Sequence, residues 1–173
     1  ASVCSFRACS ENCLAGVFVC MRRPCETGDL VEVAGCTGYV QQLNVRTTVL
    51  MTLDGNLVRV PNAMVYKSSL CNFTANPNRR ESFAIGIGYG DDIDKARGII
   101  LHVLKVAKGV EPDPVSDVIL VDLGDSTVTL LARWWSNSRM VDVFTAQDKV
   151  LTGIMNEINA AGIELQMHTR KLR

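Results

Sequence analysis

The apolar residues of this chain change period near residue 76, and that change limits the folds open to it. Before it, short alternating runs follow one another closely: Asp29–Val33, Gly38–Leu43, Thr47–Leu53, Leu57–Val60 and Ser69–Thr74. Gly35 and Asp54-Gly55 supply turns between them, and Pro61-Asn62 stops the fourth run. Such spacing, with a two-residue Asp-Gly hairpin signal, predicts a small barrel. After it, strands alternate with long segments of helical period. Ser82–Tyr89 is a strand, and Asp91–Val106 a helix with Ile93, Ala96, Ile100, Val103 and Ala107 on one face. Val118–Leu123 and Thr127–Trp134 form a hairpin. Val141–Ala161 is a second helix whose stripe is Phe144, Leu151, Ile154, Met155 and Ile158. Gly162 caps that helix, and Ile163–Leu172 returns as a last strand.

The predicted fold class is therefore α+β. An amphipathic helix comes first, then a small Sm/SH3-like β-barrel domain, then a ferredoxin-like βαββαβ domain. The expected boundaries are 1–24 for the front helix, 25–75 for the barrel, 76–81 for a linker and 82–173 for the α+β domain. The linker assignment rests on Ala75-Asn76-Pro77-Asn78-Arg79-Arg80, which is polar, carries a proline and lacks periodicity.

The front segment has its own character. Its longest apolar stretch, Cys13–Met21, is well short of the roughly 20 residues that cross a bilayer. Gly16 interrupts it at a cost of about 1 kcal/mol relative to alanine, a cost with a use where surfaces approach closely. Arg22 and Arg23 follow, and Pro24 discourages further helix. Two arginines after an apolar run suit anionic headgroups. They equally suit solvated charges at a helix C-terminus. No secretory leader is visible in the first residues.

Lysine plus arginine equals aspartate plus glutamate, 18 against 18, so no global charge points to nucleic acid. An RNA-binding barrel would interleave aromatics with basic residues, and Tyr39, Tyr66, Phe73, Arg46, Arg59 and Lys67 do so only sparsely. Six of the seven cysteines crowd the first 36 residues, with no C-x2-C pair and two distant histidines. They read as reduced apolar fillers, with zinc or redox chemistry as the alternative. Gly86, Gly88 and Gly90 invite a phosphate-loop reading, but Asp91, Asp92 and Asp94 would oppose a bound phosphate and read as helix caps. No serine–histidine–acid set and no activated cysteine can be assembled. No catalytic residue, metal or cofactor is expected.

Several stretches together carry a resemblance. SENCLAGVFVCMRRPCETGDLVEVAG, TTVLMTLDGNLVRVPNAMVYKSSLCNFT, RRESFAIGIGYGDDIDKA and ARWWSNS hold Arg-Pro, Gly-Asp, Asp-Gly and Val-Pro-Asn landmarks in order. In these the chain resembles the cytoplasmic portion of small-conductance mechanosensitive channels, the MscS family, over nearly its whole length. The front stretch looks like the second half of that family's pore-associated helix running into its β domain.

The resemblance implies a homoheptamer in the inner membrane, with this portion on the cytoplasmic side. Membrane lipids would be partners of the front helix, through Gly16, Arg22 and Arg23. Pro24, Gly28 and Asp29 would form the hinge to the β domain. The β domains would form a ring and the α+β domains a cage with side portals, near Asn76, Asn78, Arg79 and Arg80. Ions and small osmolytes would leave passively when tension opens the pore, and nucleic acid would play no part. The first two membrane helices and the front half of the pore helix would lie outside these residues. Cysteines stand in the front segment where the family usually carries aliphatic or aromatic residues, and the tail GIELQMHTRKLR lacks the usual proline-aromatic turn. A soluble oligomeric binding module of Sm-like type is the second reading.

Overall fold

A computed structural model describes residues 11–18, 21–22, 24–124, 127–163 and 165. The chain divides into two compact units, Ala1–Asn76 and Pro77–Arg173. Both carry an antiparallel sheet, so the fold is mixed α+β.

In the first unit, residues 11–18 are helical (α1), as are residues 21 and 22. Five strands follow: β1 (Leu30–Val33), β2 (Cys36–Leu43), β3 (Thr47–Met51), β4 (Leu57–Pro61) and β5 (Leu70–Asn72). Their order in the sheet is β4-β3-β2-β1-β5. Ala34 and Gly35 both take positive φ, 50° and 76°, in the two-residue β1–β2 turn that pairs Val33 with Cys36. A loop of this kind matches the right-handed twist of its strands, which is why it closes so tightly. Alternate residues point inward, and Val31, Val33, Val40, Leu50 and Val60 form the core with Cys25 and Val65.

Val65 belongs to a helix that the sequence pattern does not announce, α2 (Asn62–Lys67), between β4 and β5. Pro61-Asn62 does stop the strand. The chain then makes six helical residues, too few for a 3.6-residue period to register. Asn62 and Val65, three apart, are its buried positions.

In the second unit, β6 (Asn78–Gly88), β7 (Asp117–Leu123) and β8 (Thr127–Asn137) form a sheet of order β6-β8-β7. The helices α3 (Ile93–Val106) and α4 (Met140–Ala160) supply the apolar cover. Ile87 pairs with Leu165 in an antiparallel bridge. The rest of the expected last strand, from 166 to 172, lies outside the described residues. Trp134, fully buried on β8, packs with Ile85, Ile87, Ile100, Leu104, Val150 and Ile154. Asp92 caps α3 by accepting from the Lys95 amide at 3.0 Å, and the first turn carries Asp94 beside it.

Two expectations shift. The strand β6 begins at Asn78, four residues before Ser82, because its ladder with β8 continues to Asn78↔Asn137. Arg79 and Arg80 are therefore strand residues rather than linker. On α4 the buried residues are Val143, Ala146, Val150, Ile154 and Ile158, while Phe144 and Met155 are exposed. This helix carries two apolar stripes one residue apart, and periodicity cannot choose between them. Packing takes the stripe with the small Ala146. At Gly153 a Cβ would lie 2.8 Å from Val103 Cγ1 of α3, so the helices touch closely there.

Candidate functional site

The most built-up contact in the first unit joins α1 to the sheet. Gly16 is its centre. A Cβ at Gly16 would lie 2.0 Å from the Val45 carbonyl oxygen and 2.7 Å from Asn62 Nδ2. Only glycine allows the helix to sit this close to the β2–β3 loop. Four residues earlier, Asn12 Oδ1 accepts the Ala63 amide hydrogen at 3.0 Å, meeting one of the unpaired donors in the first turn of α2. Glu11 pairs with Lys67 at the far end of α2, on the surface, where such a pair contributes little. Phe18 and Tyr66 place their rings 5.8 Å apart at 31°.

Asn62 holds the receiving surface in shape. It is 1% exposed, and its Nδ2 donates to the Asn44 carbonyl (2.9 Å) and the Val45 carbonyl (3.1 Å). Thr48 Oγ1 donates to its Oδ1 at 3.0 Å. Its own amide donates to the Arg46 carbonyl at 3.0 Å. One amide side chain thus ties α2, β3 and the β2–β3 loop together beneath Gly16. A buried amide with all these partners is stabilising, and one without them would be costly.

A second cluster lies where the chain passes into β1. Gly28 takes a φ of +99°, and its amide donates to the Val40 carbonyl at 2.8 Å. The Asp29 carboxylate accepts from the Glu26 amide (2.8 Å), Asn72 Nδ2 (2.7 Å) and Thr74 Oγ1 (3.0 Å). It therefore clips the segment before β1 to the segment after β5. Partial burial pushes the Asp29 carboxyl up, but these three hydrogen bonds outweigh it and hold the group below its ordinary range. Burial, and then the Asp29 charge, push the neighbouring Cys25 thiol up. Cys25 is a neutral filler of the core.

Of the residues singled out in the sequence, Gly16 sits in the α1 contact, and Gly28 and Asp29 share the second cluster. Arg22 and Pro24 are exposed, and Arg23 lies outside the described residues. Asn76 ends the first unit. Asn78, Arg79 and Arg80 are consecutive on β6. There Arg79 Nε meets Glu81 at 2.8 Å and Arg79 Nη1 approaches Met140 Sδ at 3.8 Å. Arg80, exposed, adds positive charge beside Asp117, whose carboxyl the Arg133 hydrogen bond holds low.

Asn12, Val45 and Asn62 were not legible as site residues. The partners of Asn62 stand 14, 17 and 18 positions away, and nothing local marks an asparagine as buried. Among the described residues, no group of three histidine, cysteine or acidic side chains could hold a metal, and no helix is long and apolar enough to cross a membrane.

Comparison with known proteins agrees with this division. Residues 9–75 match the family described as mechanosensitive ion channel, beta-domain, and residues 81–165 match mechanosensitive ion channel MscS, C-terminal. An uncharacterized MscS family protein of Archaeoglobus fulgidus is 32% identical over 159 residues, 92% of this chain and 56% of the relative. The small-conductance mechanosensitive channel of Helicobacter pylori is 28% identical over 151 residues, 87% of this chain and 54% of the relative. The chain thus spans about half the length of the curated relatives it matches. The closed-state crystal structure of Helicobacter pylori MscS superposes with a TM-score of 0.87 at 25% identity, over 98% of this chain and 66% of that one. Arabidopsis thaliana MSL1 shares the fold, with a TM-score of 0.81 at 22% identity over 96% and 62%.

Proposed function

Because the chain belongs to the MscS family of mechanosensitive channels, contributing a β domain and a C-terminal domain, we propose that it is the cytoplasmic portion of a channel subunit. It carries membrane tension from a pore-associated helix into a cytoplasmic cage. The observation that carries this reading is the seat of α1 on the β2–β3 loop and α2. A helix held by backbone contact at Gly16 cannot shift without disturbing the sheet beneath it, so position is coupled across the contact.

In this reading the first unit is an Sm/SH3-like barrel and the second a ferredoxin-like domain. The isolated antiparallel bridge between Ile87 of β6 and Leu165 supports the latter, since a ferredoxin-like domain would carry its last strand beside β6 in the β6-β8-β7 sheet. Seven copies form the assembly in an inner membrane. β4 and β5, the end strands of the first sheet, suit head-to-tail pairing between copies into a closed ring. Gly16, Arg22 and Arg23 face lipid or the preceding helices, and Pro24, Gly28 and Asp29 act as the hinge. Asn76, Asn78, Arg79 and Arg80 border the portals through which ions and small osmolytes pass passively.

The test is to graft this chain in place of the matching C-terminal part of the Helicobacter pylori channel, measure its assembly mass, and record current from excised patches under suction. A seven-copy mass and a tension-activated current are expected. A monomer that stays in the cytosol would overturn the reading and favour a soluble binding module.

A further inference from the structure

The structure concentrates exposed apolar side chains on the elements that meet at Gly16. On α1, Leu14, Val17 and Phe18 stand at the i, i+3, i+4 spacing of a single stripe, and Met21, in the helical residues 21–22, is exposed as well. Val45 of the β2–β3 loop and Met64 and Tyr66 of α2 are exposed beside them. All are between 47% and 76% exposed, and the first unit has just two other exposed large apolar residues among those described, Leu53 and Leu57. Water-soluble surfaces do not gather such residues without a partner.

The elements are in contact. Gly16 meets Val45, Asn12 meets Ala63, and Phe18 meets Tyr66. The buried residues are Ala15 and Gly16 on α1 and Asn62 and Val65 on α2, so Leu14, Val17, Phe18, Met64 and Tyr66 are on the outer sides of these helices. Among the described residues of these elements the charges are Arg22, Arg46 and Lys67 against Glu11; all three bases are exposed, and Lys67 pairs with Glu11, so the excess is positive. An apolar stripe, a phenol at its edge and a positive border have the chemistry of a surface that lies in the headgroup layer of an anionic bilayer.

We propose that this whole surface, including α2 and the β2–β3 loop of the β domain, docks on anionic lipid headgroups. The inference rests on the reading above that α1 lies near a membrane, and it adds the β domain to the contact. Val45, Met64 and Tyr66 dip into the headgroup boundary. Arg22 and Arg46 face lipid phosphates and carboxylates.

The experiment is co-sedimentation of the 173-residue chain with phosphatidylcholine vesicles made with and without phosphatidylserine. Variants are Arg22→Gln for the helix, and Met64→Ser/Tyr66→Ser and Arg46→Gln for the β domain. Circular dichroism checks that each variant folds, and light scattering gives its mass. The expected result is binding that depends on phosphatidylserine, falls roughly fivefold for each base removed, and falls at least as far for Met64→Ser/Tyr66→Ser. If Arg22→Gln weakens binding while the β-domain variants bind like the parent, the inference fails and the helix reading stands. If the parent chain binds neither vesicle, both fail. If Met64→Ser/Tyr66→Ser leaves vesicle binding intact but lowers the mass in solution, the surface belongs to a second copy and the inference is overturned.

Discussion

The carbonyl oxygen of Val45 occupies the space that a side chain on Gly16 would need, only 2.0 Å from where its Cβ would stand. A helix and a loop separated by 29 positions in sequence thus meet backbone to backbone. Neither partner can move alone, and this is the physical content of the coupling proposed for the chain.

Replacing Gly16 with alanine sets two effects against each other. In a free helix, alanine gains about 1 kcal/mol over glycine. Here the added methyl would press on backbone that cannot rotate away, and overpacking of this kind costs about 1–3 kcal/mol. The clash wins. Gly16→Ala is expected to lower the urea midpoint of the first unit and to speed exchange of the Ala63 amide. A raised midpoint would show that α1 does not sit on Val45.

Asn62→Ala leaves Thr48 Oγ1, itself 2% exposed, and two carbonyls without their partner. The expected loss is about 2–4 kcal/mol of stability, since each orphaned buried group costs about 1–3 kcal/mol. A double-mutant cycle with Thr48→Val should return a coupling of about 1 kcal/mol or more. Additive effects would mean that the Thr48–Asn62 bond contributes nothing.

Asp29 links stability to pH. Its folded pKa lies below the ordinary carboxylate value of 3.8, so its contribution is complete above that value. The contribution declines as pH falls through the unfolded pKa toward the folded one. Urea midpoints measured from neutral pH downward should therefore fall on the acid side. Asp29→Asn should lower the neutral midpoint by about 1 kcal/mol in stability and make the acid limb shallower. An unchanged acid limb would place the titrating group elsewhere.

On α4, the two apolar stripes can be told apart by truncation. Ile154 is 3% exposed, and Ile154→Ala is expected to cost about 2–5 kcal/mol. Phe144 is 57% exposed, and Phe144→Ala should change stability by about 0.5 kcal/mol or less. Equal losses would mean that α4 is rotated about its axis. The same pair then serves a second purpose. A normal monomer stability with a lowered assembly mass in Phe144→Ala would locate a contact between copies.

What the sequence determined by itself was the order and kind of the strands β1 to β8 and of the long helices α3 and α4, though not the six-residue α2. Alternation with Asp54-Gly55, and the 3.6-residue period of Ala96, Ile100 and Val103, are local signals, because a strand or helix repeats its buried face within a few residues. The landmarks that carry the family resemblance are local in the same sense. Where elements meet was decided only by tertiary structure. Asn62 reads as a turn residue until Asn44, Val45 and Thr48 fold over it. The glycine at 16 signals a close approach but not what approaches, since Val45 is brought there by the β2–β3 turn. The choice between Val143/Val150 and Phe144/Met155 as the buried face of α4 depends on the fit to α3 opposite, where Gly153 of α4 meets Val103. Period says that a helix has an apolar side. Steric fit against a neighbour, at contacts far apart in sequence, decides which side and how near.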